Sequence, residues 1–255
     1  MDYISLREKY PEFLYKSYSI EESETEIKVS YNFETVSLCE FSPSWVFKKP
    51  SGKSFKDNTT FLKMVFALGM VELVSYWKAT CSPVVKILCG GISSDEEKWF
   101  KKLYFKGLGE FFYRNGITPD FSDFMTIISE GESIVPEGEK ISGNKNLISI
   151  GGGKDSIVSL NALSDKKEDN FCYIINPDKA TKATAEIGGY KDEKVISVKR
   201  NLDRKIVDLN SQGFLNGHTP FSAIVAFSST VSAYLFSIKN VVLSNESSAN
   251  ESTVK

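Results

Sequence analysis

The sequence predicts an α/β protein. Its C-terminal half reads as a parallel sheet with helices on both faces, preceded by an α+β domain. Three observations predict this. Beyond residue 146, short β-branched and aromatic runs alternate with helical patterns, the signature of strand–helix–strand units. Before residue 129, a period-two alternation is followed by long helical faces. Between them, residues 129–146 are polar and glycine-rich, so we place a boundary there, with an N-terminal α+β domain at 1–143 and a second domain at 144–255.

In the first domain, Ile27, Val29, Tyr31 and Phe33 alternate with Lys28, Ser30 and Asn32, which predicts a half-buried strand. Val36 to Phe41 continues the alternation and predicts a hairpin or meander. Lys48 to Ser54 is a polar turn. Its Gly52-Lys53-Ser54 lacks the earlier glycine of a Walker loop. From Asn58 to Tyr76, Phe61, Leu62, Val65, Phe66, Leu68, Gly69, Leu73 and Tyr76 fall on one broad helical face. Val84 to Leu88 predicts a strand closed by Gly90-Gly91. Ser93 or Ser94 then caps a helix whose first turn carries Asp95, Glu96 and Glu97.

In the second domain, strands are predicted at 147–150, 171–175, 194–198 and 241–244. Helices are predicted at 154–164, about 180–187 and 219–238. In such sheets ligands sit at the carboxyl ends of the strands. The loops 151–156, 176–178 and 244–251 each follow a strand there.

Bulk properties narrow the function classes. A net charge of -2 gives no basic footprint for nucleic acid. The N-terminus is charged and has no apolar signal core, and no run approaches the roughly 18 apolar residues of a membrane span. The four cysteines are scattered without a CxxC pair, which disfavours disulfides and zinc and makes the cytoplasm the default compartment.

The chemistry concentrates in Leu147-Ile148-Ser149-Ile150-Gly151-Gly152-Gly153-Lys154-Asp155-Ser156. An apolar run leads through three glycines to the start of a helix, so backbone N–H groups converge on an anion and a phosphate is the expected guest. The spacing is neither GxGxxG nor GxxxxGK[ST]. The loop resembles the PP-loop of enzymes that split ATP into AMP and pyrophosphate, whose signature is Ser-Gly-Gly-x-Asp-Ser/Thr. Gly152, Gly153, Asp155 and Ser156 match, Lys154 occupies the variable place, and Gly151 stands where a serine is usual. The resemblance implies an adenine nucleotide α-hydrolase-like fold for the second domain.

Further motifs are similar to one family within that group. They are Leu68-Gly69-Met70-Val71-Glu72-Leu73-Val74-Ser75-Tyr76-Trp77-Lys78-Ala79-Thr80-Cys81, Gly107-Leu108-Gly109-Glu110-Phe111-Phe112-Tyr113-Arg114-Asn115-Gly116, Asn216-Gly217-His218-Thr219-Pro220-Phe221-Ser222 and Ser244-Asn245-Glu246-Ser247-Ser248-Ala249-Asn250-Glu251. The family is that of the UDP-N-acetyl-α-D-muramoyl-L-alanyl-L-glutamate epimerases of peptidoglycan synthesis, and the likeness covers most of residues 60–255. It implies an isomerase of cell wall biogenesis, with its consequences for cell shape and division. In the implied reaction, ATP adenylates the α-carboxylate of the terminal L-Glu, the α-centre inverts, and hydrolysis gives D-Glu and AMP.

The resemblance also implies roles. Gly151, Gly152, Gly153, Lys154, Asp155 and Ser156 would hold the ATP phosphates. Asn176 and Asp178 would lie near the nucleoside. Asp155 and Glu246 would contact Mg²⁺ and count, with His218, among the catalytic residues. His218, the single histidine of the chain, is read two ways: as a general base or carboxylate contact, or as a local helix-entry residue. Trp77, Phe111 and Phe112 are expected in the core, Lys78 and Arg114 are open as anion contacts, and Glu251 is either a ligand or a solvated carboxylate. The expected partner is the small-molecule UDP-muramoyl dipeptide, with no nucleic acid and no membrane. The rival readings are an amide ligase, an RNA-base thiolase and a non-catalytic nucleotide-binding module. A ligand loop at the very end of the sequence also leads us to expect an N-terminal fragment of a longer enzyme.

Overall fold

The computed structural model describes residues 1–245; Glu246 and Glu251 lie outside the described residues. The chain begins with α1 (Tyr3–Lys9), β1 (Glu12–Glu22), β2 (Glu26–Thr35), β3 (Cys39–Phe41) and β4 (Ser44–Lys48). It continues through α2 (Thr59–Glu72), α3 (Val74–Trp77), β5 (Val84–Ile87), α4 (Ser94–Gly107), α5 (Gly109–Arg114) and β6 (Thr126–Ser129). Next come β7 (Asn146–Ser149), α6 (Lys154–Ala162), β8 (Asn170–Ile175), α7 (Lys179–Ile187) and β9 (Val195–Asn201). The described part closes with α8 (Lys205–Ser211), α9 (Phe221–Leu235) and β10 (Asn240–Val242). The protein is thus a mixed α/β structure.

Among the described residues the strands form one ten-stranded sheet in the order β10-β7-β8-β9-β4-β2-β1-β5-β6, with β3 paired to β2. Neighbours among β10, β7, β8 and β9 run parallel. So do β1, β5 and β6. The two parallel blocks are joined by antiparallel β4, β2 and β1. Strands from either side of the 143/144 junction share this sheet, because β4 pairs with β9 and sets Trp45 opposite Arg200.

Period two decides which helix covers which face. Leu147, Tyr173, Ile196 and Val198 join a cluster with Ile224, Val231 and Leu235 of α9. Their neighbours Ile148, Cys172 and Ile174 pack with Leu160 of α6 and Ala185 of α7. Helices therefore lie on both faces of the C-terminal parallel block. The larger core is strongly aromatic: Tyr15 stacks on Phe66, and Tyr31 on Phe33.

Several elements were illegible in the sequence. In β1 the register shifts between Tyr15 and Ser17, which breaks the alternation. The alternation of β4 is masked by three apolar residues in a row, Trp45-Val46-Phe47, β6 has four residues, and α1 and α8 are seven residues each. One expectation is corrected. Thr59–Trp77 is 19 residues long and apolar enough to cross a membrane by length and composition. Its best window is 67% buried inside the fold, and α2 packs on α9, so the run is apolar because it forms the core.

Candidate functional site

From β7 the chain proceeds to β8 and β9 on one side, whereas β10 adds on the other. That reversal is a topological switch point, and it opens a crevice outside the carboxyl ends of β7 and β10. A cavity of about 320 Å³ lies there. The β7–α6 loop lines it with Gly151, Gly153, Asp155 and Ser156. Phe221, Ser222 and Val225 of α9 form a second wall, and Leu243, Ser244 and Asn245 after β10 a third. Ser159 and Ser244 hydroxyls meet at 2.6 Å and tie α6 to the end of β10.

Each glycine in the loop answers a different demand. Gly152 has φ +78°, the left-handed region that favours glycine, and a Cβ there would sit 3.4 Å from Ala180 and Thr181 at the start of α7. Gly151 and Gly153 face open space where a side chain would project. Gly153 is the N-cap of α6 and supplies no side-chain acceptor, so that helix start has no side-chain cap. The Gly151 N–H donates to Ser156 Oγ at 2.9 Å, which closes the loop on itself. Ser149 lines the crevice, and its Oγ is buried and has no hydrogen-bond partner among the described residues.

Other residues singled out in the sequence have local work. Asn176, at φ +48°, exchanges two side-chain hydrogen bonds with the backbone of Arg200 and links the ends of β8 and β9. Asp178 caps α7 in a reciprocal capping box with Thr181, and those bonds hold its carboxyl below the usual aspartate range. Neither lines the switch-point cavity. Among the described residues no group of three or more His, Cys, Asp or Glu side chains forms a metal cage.

His218 is 76% exposed, and its Nδ1 lies 2.6 Å from Glu110 Oε2 of α5. It stands three residues before Phe221, which lines the cavity, and does not line it itself. Lys78, just beyond α3, donates to the carbonyl of Gly217. Burial first, and the nearby Arg200 second, hold the Lys78 ammonium down to a pKa of about 8. Arg200 itself makes a bidentate pair with fully buried Glu72, which also accepts from Trp45 Nε1. Trp77, Phe111 and Phe112 are buried, as expected of core residues. Arg114 pairs loosely with Glu110 at 3.6 Å. Sequence reasoning missed Ser149, although it lies in the motif; its signal was an inward-facing hydroxyl at the last strand position.

Residues 5–255 match the family described as the MurL N-terminal domain. Three curated proteins named UDP-N-acetyl-alpha-D-muramoyl-L-alanyl-L-glutamate epimerase are similar to the chain. The one from Salinispora tropica is 32% identical over 192 residues, covering 75% of this chain and 41% of its own. That from Xanthomonas oryzae pv. oryzae is 33% identical over 184 residues, covering 72% and 40%. That from a Micromonospora species is 33% identical over 193 residues, covering 75% and 42%. The chain therefore spans about two-fifths of the length of the curated relatives it matches. No solved structure matches.

Proposed function

This chain belongs to the MurL N-terminal domain family, and on that premise we propose that it forms the nucleotide-binding part of an epimerase. The proposed reaction converts the terminal L-Glu of UDP-N-acetylmuramoyl-L-Ala-L-Glu to D-Glu in the cytoplasmic synthesis of peptidoglycan precursors. The relatives' shared name supports the substrate class. The observation that carries the nucleotide reading is the β7–α6 loop at the switch point. Its helix start has no side-chain cap, two of its glycines face open space, and Ser149 Oγ is an orphaned acceptor and donor inside the crevice. A polyphosphate would satisfy those groups, so a PP-loop reading fits the residues present.

In this proposal ATP is a substrate. The glutamate carboxylate attacks its α-phosphorus, pyrophosphate leaves, and an acyl-adenylate forms. A free carboxylate resists a second negative charge at the adjacent carbon; the acyl-adenylate removes that charge and lets the carbonyl delocalise the developing carbanion. Inversion and hydrolysis then yield D-Glu and AMP. The α6 N-terminus and the glycine N–H groups orient the phosphates, and Lys154 adds positive charge at the first helical position. Asp155 is the carboxylate of the described lining and would hold Mg²⁺ with phosphate oxygens, an arrangement for which one or two carboxylates suffice. Bound there, Mg²⁺ would neutralise charge on the leaving pyrophosphate. Glu246, the second expected Mg²⁺ contact, lies outside the described residues.

The test incubates the intact protein with ATP, Mg²⁺ and the L-Glu muramoyl dipeptide, and assays AMP together with chirality at glutamate. AMP with D-Glu is expected. AMP without inversion would point to ligase chemistry, and ATP binding without AMP to a binding module.

A further inference from the structure

Inversion at the glutamyl α-carbon requires proton traffic on two faces, and the structure brings two titratable side chains to one peptide. The Gly217–His218 peptide receives the Lys78 ammonium on its carbonyl and bears the His218 side chain, which meets Glu110. Covalent dimensions keep the two nitrogen-bearing groups within roughly 10 Å of each other. The same segment runs directly into Phe221 and Ser222, which wall the cavity beside Gly151 and Gly153. Glu110 orients the imidazole through Nδ1, which leaves Nε2 for a substrate.

We propose that Lys78 and His218 are the two proton-transfer groups of the epimerisation, one serving each epimer of the glutamyl α-carbon, an inference that rests on the function proposed above. Lys78 suits the task because it is partly buried and, among the described residues, no carboxylate pairs with it. The charged groups around it are Arg200, whose charge Glu72 neutralises, and the Glu110–His218 pair beyond Gly217. A lysine held to about 8 yields free amine near neutral pH, as a buried lysine with no mate does.

The step balances. The free amine takes the α-proton, the Cα–H electron pair passes into the enolate of the activated carbonyl, and an ammonium forms. On the opposite face the imidazolium gives up its N–H proton, the enolate pair closes the new Cα–H bond, and neutral imidazole remains. Exchange with solvent resets both groups.

The experiment uses the intact protein in D₂O with ATP, Mg²⁺ and either epimer of the muramoyl dipeptide. Lys78→Gln and His218→Asn are each assayed for AMP formation and for inversion, and inversion should fall further than AMP formation. Inversion should fall at least about 100-fold, the scale of one lost acid–base group. Each variant should still wash deuterium into the α-position of one epimer, and a different epimer in each case. Lys78→Arg should behave as Lys78→Gln, since guanidinium does not give up its proton. Acylation of lysines in the unaltered protein, followed against pH by mass spectrometry, should give Lys78 a half-reactivity near pH 8. That readout requires no variant to fold. The inference is overturned by inversion within threefold in Lys78→Gln, by loss of AMP along with inversion, by exchange of the same epimer in both variants, or by Lys78 titrating with the surface lysines. Absence of AMP from the unaltered protein would instead defeat the proposed function, and the lysine titration would still be readable.

Discussion

The molecule contains two strand–glycine–helix junctions with nearly the same grammar and opposite physics. After β5, Gly90-Gly91 leads into α4; after β7, Gly151-Gly152-Gly153 leads into α6. At the first, a Cβ on Gly90 would come within 2.5 Å of the Phe66 ring, and one on Gly91 within 2.4 Å of Ser133 Oγ and 2.6 Å of its backbone nitrogen. The N–H groups there are already taken: Gly91 donates to Glu132 O, Ile92 to Ser129 Oγ, and Ser93 to Glu96 in a full capping box. At the second junction Gly151 and Gly153 meet open space, and α6 starts without a side-chain cap. Packing dictates glycine in the first case; in the second, two of the three glycines meet no neighbour within 4 Å among the described residues. The proposed anion site requires that opening, and the capped, packed junction does not offer it.

Substitutions that separate stability from nucleotide handling sharpen this contrast. The largest effect is expected at the packed junction. Gly91→Ala forces a methyl against backbone that cannot yield cheaply, at about 3 kcal/mol, or a fall in Tm of roughly 6–12 °C in a thermal melt. ATP binding by the folded fraction should be unchanged. The mirror change, Gly153→Ala, falls at φ -102°, where alanine is unstrained, so Tm should move by only a degree or two. A methyl projecting into the crevice should still lower AMP formation about tenfold or more. If Gly153→Ala left AMP formation intact, the open glycines would have no ligand to explain them.

The contrast also locates what the sequence reveals. Alternation after residue 146 exposed the parallel block because β8 is apolar from Phe171 to Ile175 and its helices carry capping residues such as Asp178. The glycine loop was legible as a strand-to-helix junction because strand end and helix start are local features. Nothing local distinguished Gly90-Gly91 from Gly151-Gly153, since the difference lies in Phe66 and Ser133, 24 and 42 residues away from those glycines. Nor could spacing show that Asn176 spends its side chain on the Arg200 backbone, or that Lys78 meets Gly217 across 139 residues. Long-range pairing of β4 with β9 brings the Arg200 end of the sheet beside α2 and α3, and the Lys78 environment follows from it.

A smaller effect belongs to the capped helix. Ser93→Ala removes the acceptor for the Glu96 N–H and dismantles the box, at about 1 kcal/mol, read as a Tm lower by roughly 2–4 °C. AMP formation per folded molecule should not change, because that helix start is filled by the protein itself. A change in AMP formation without a change in Tm would mean that the first junction also meets substrate.

The smallest and most discriminating change is Ser149→Ala. A buried hydroxyl without a partner carries an unrepaid desolvation cost, so its removal should leave Tm unchanged or raise it slightly. The same hydroxyl belongs to a residue that lines the crevice, and a bound ligand would supply the partner it lacks. One hydrogen bond to a bound phosphate contributes about 0.5–1.5 kcal/mol, so ATP affinity measured by calorimetry should weaken by roughly 2–12-fold. Stability and affinity moving in opposite directions is the behaviour of a group reserved for a ligand. A drop in Tm with unchanged affinity would mean that Ser149 supports β7 alone, and the junction would lose its strongest mark of an anion site.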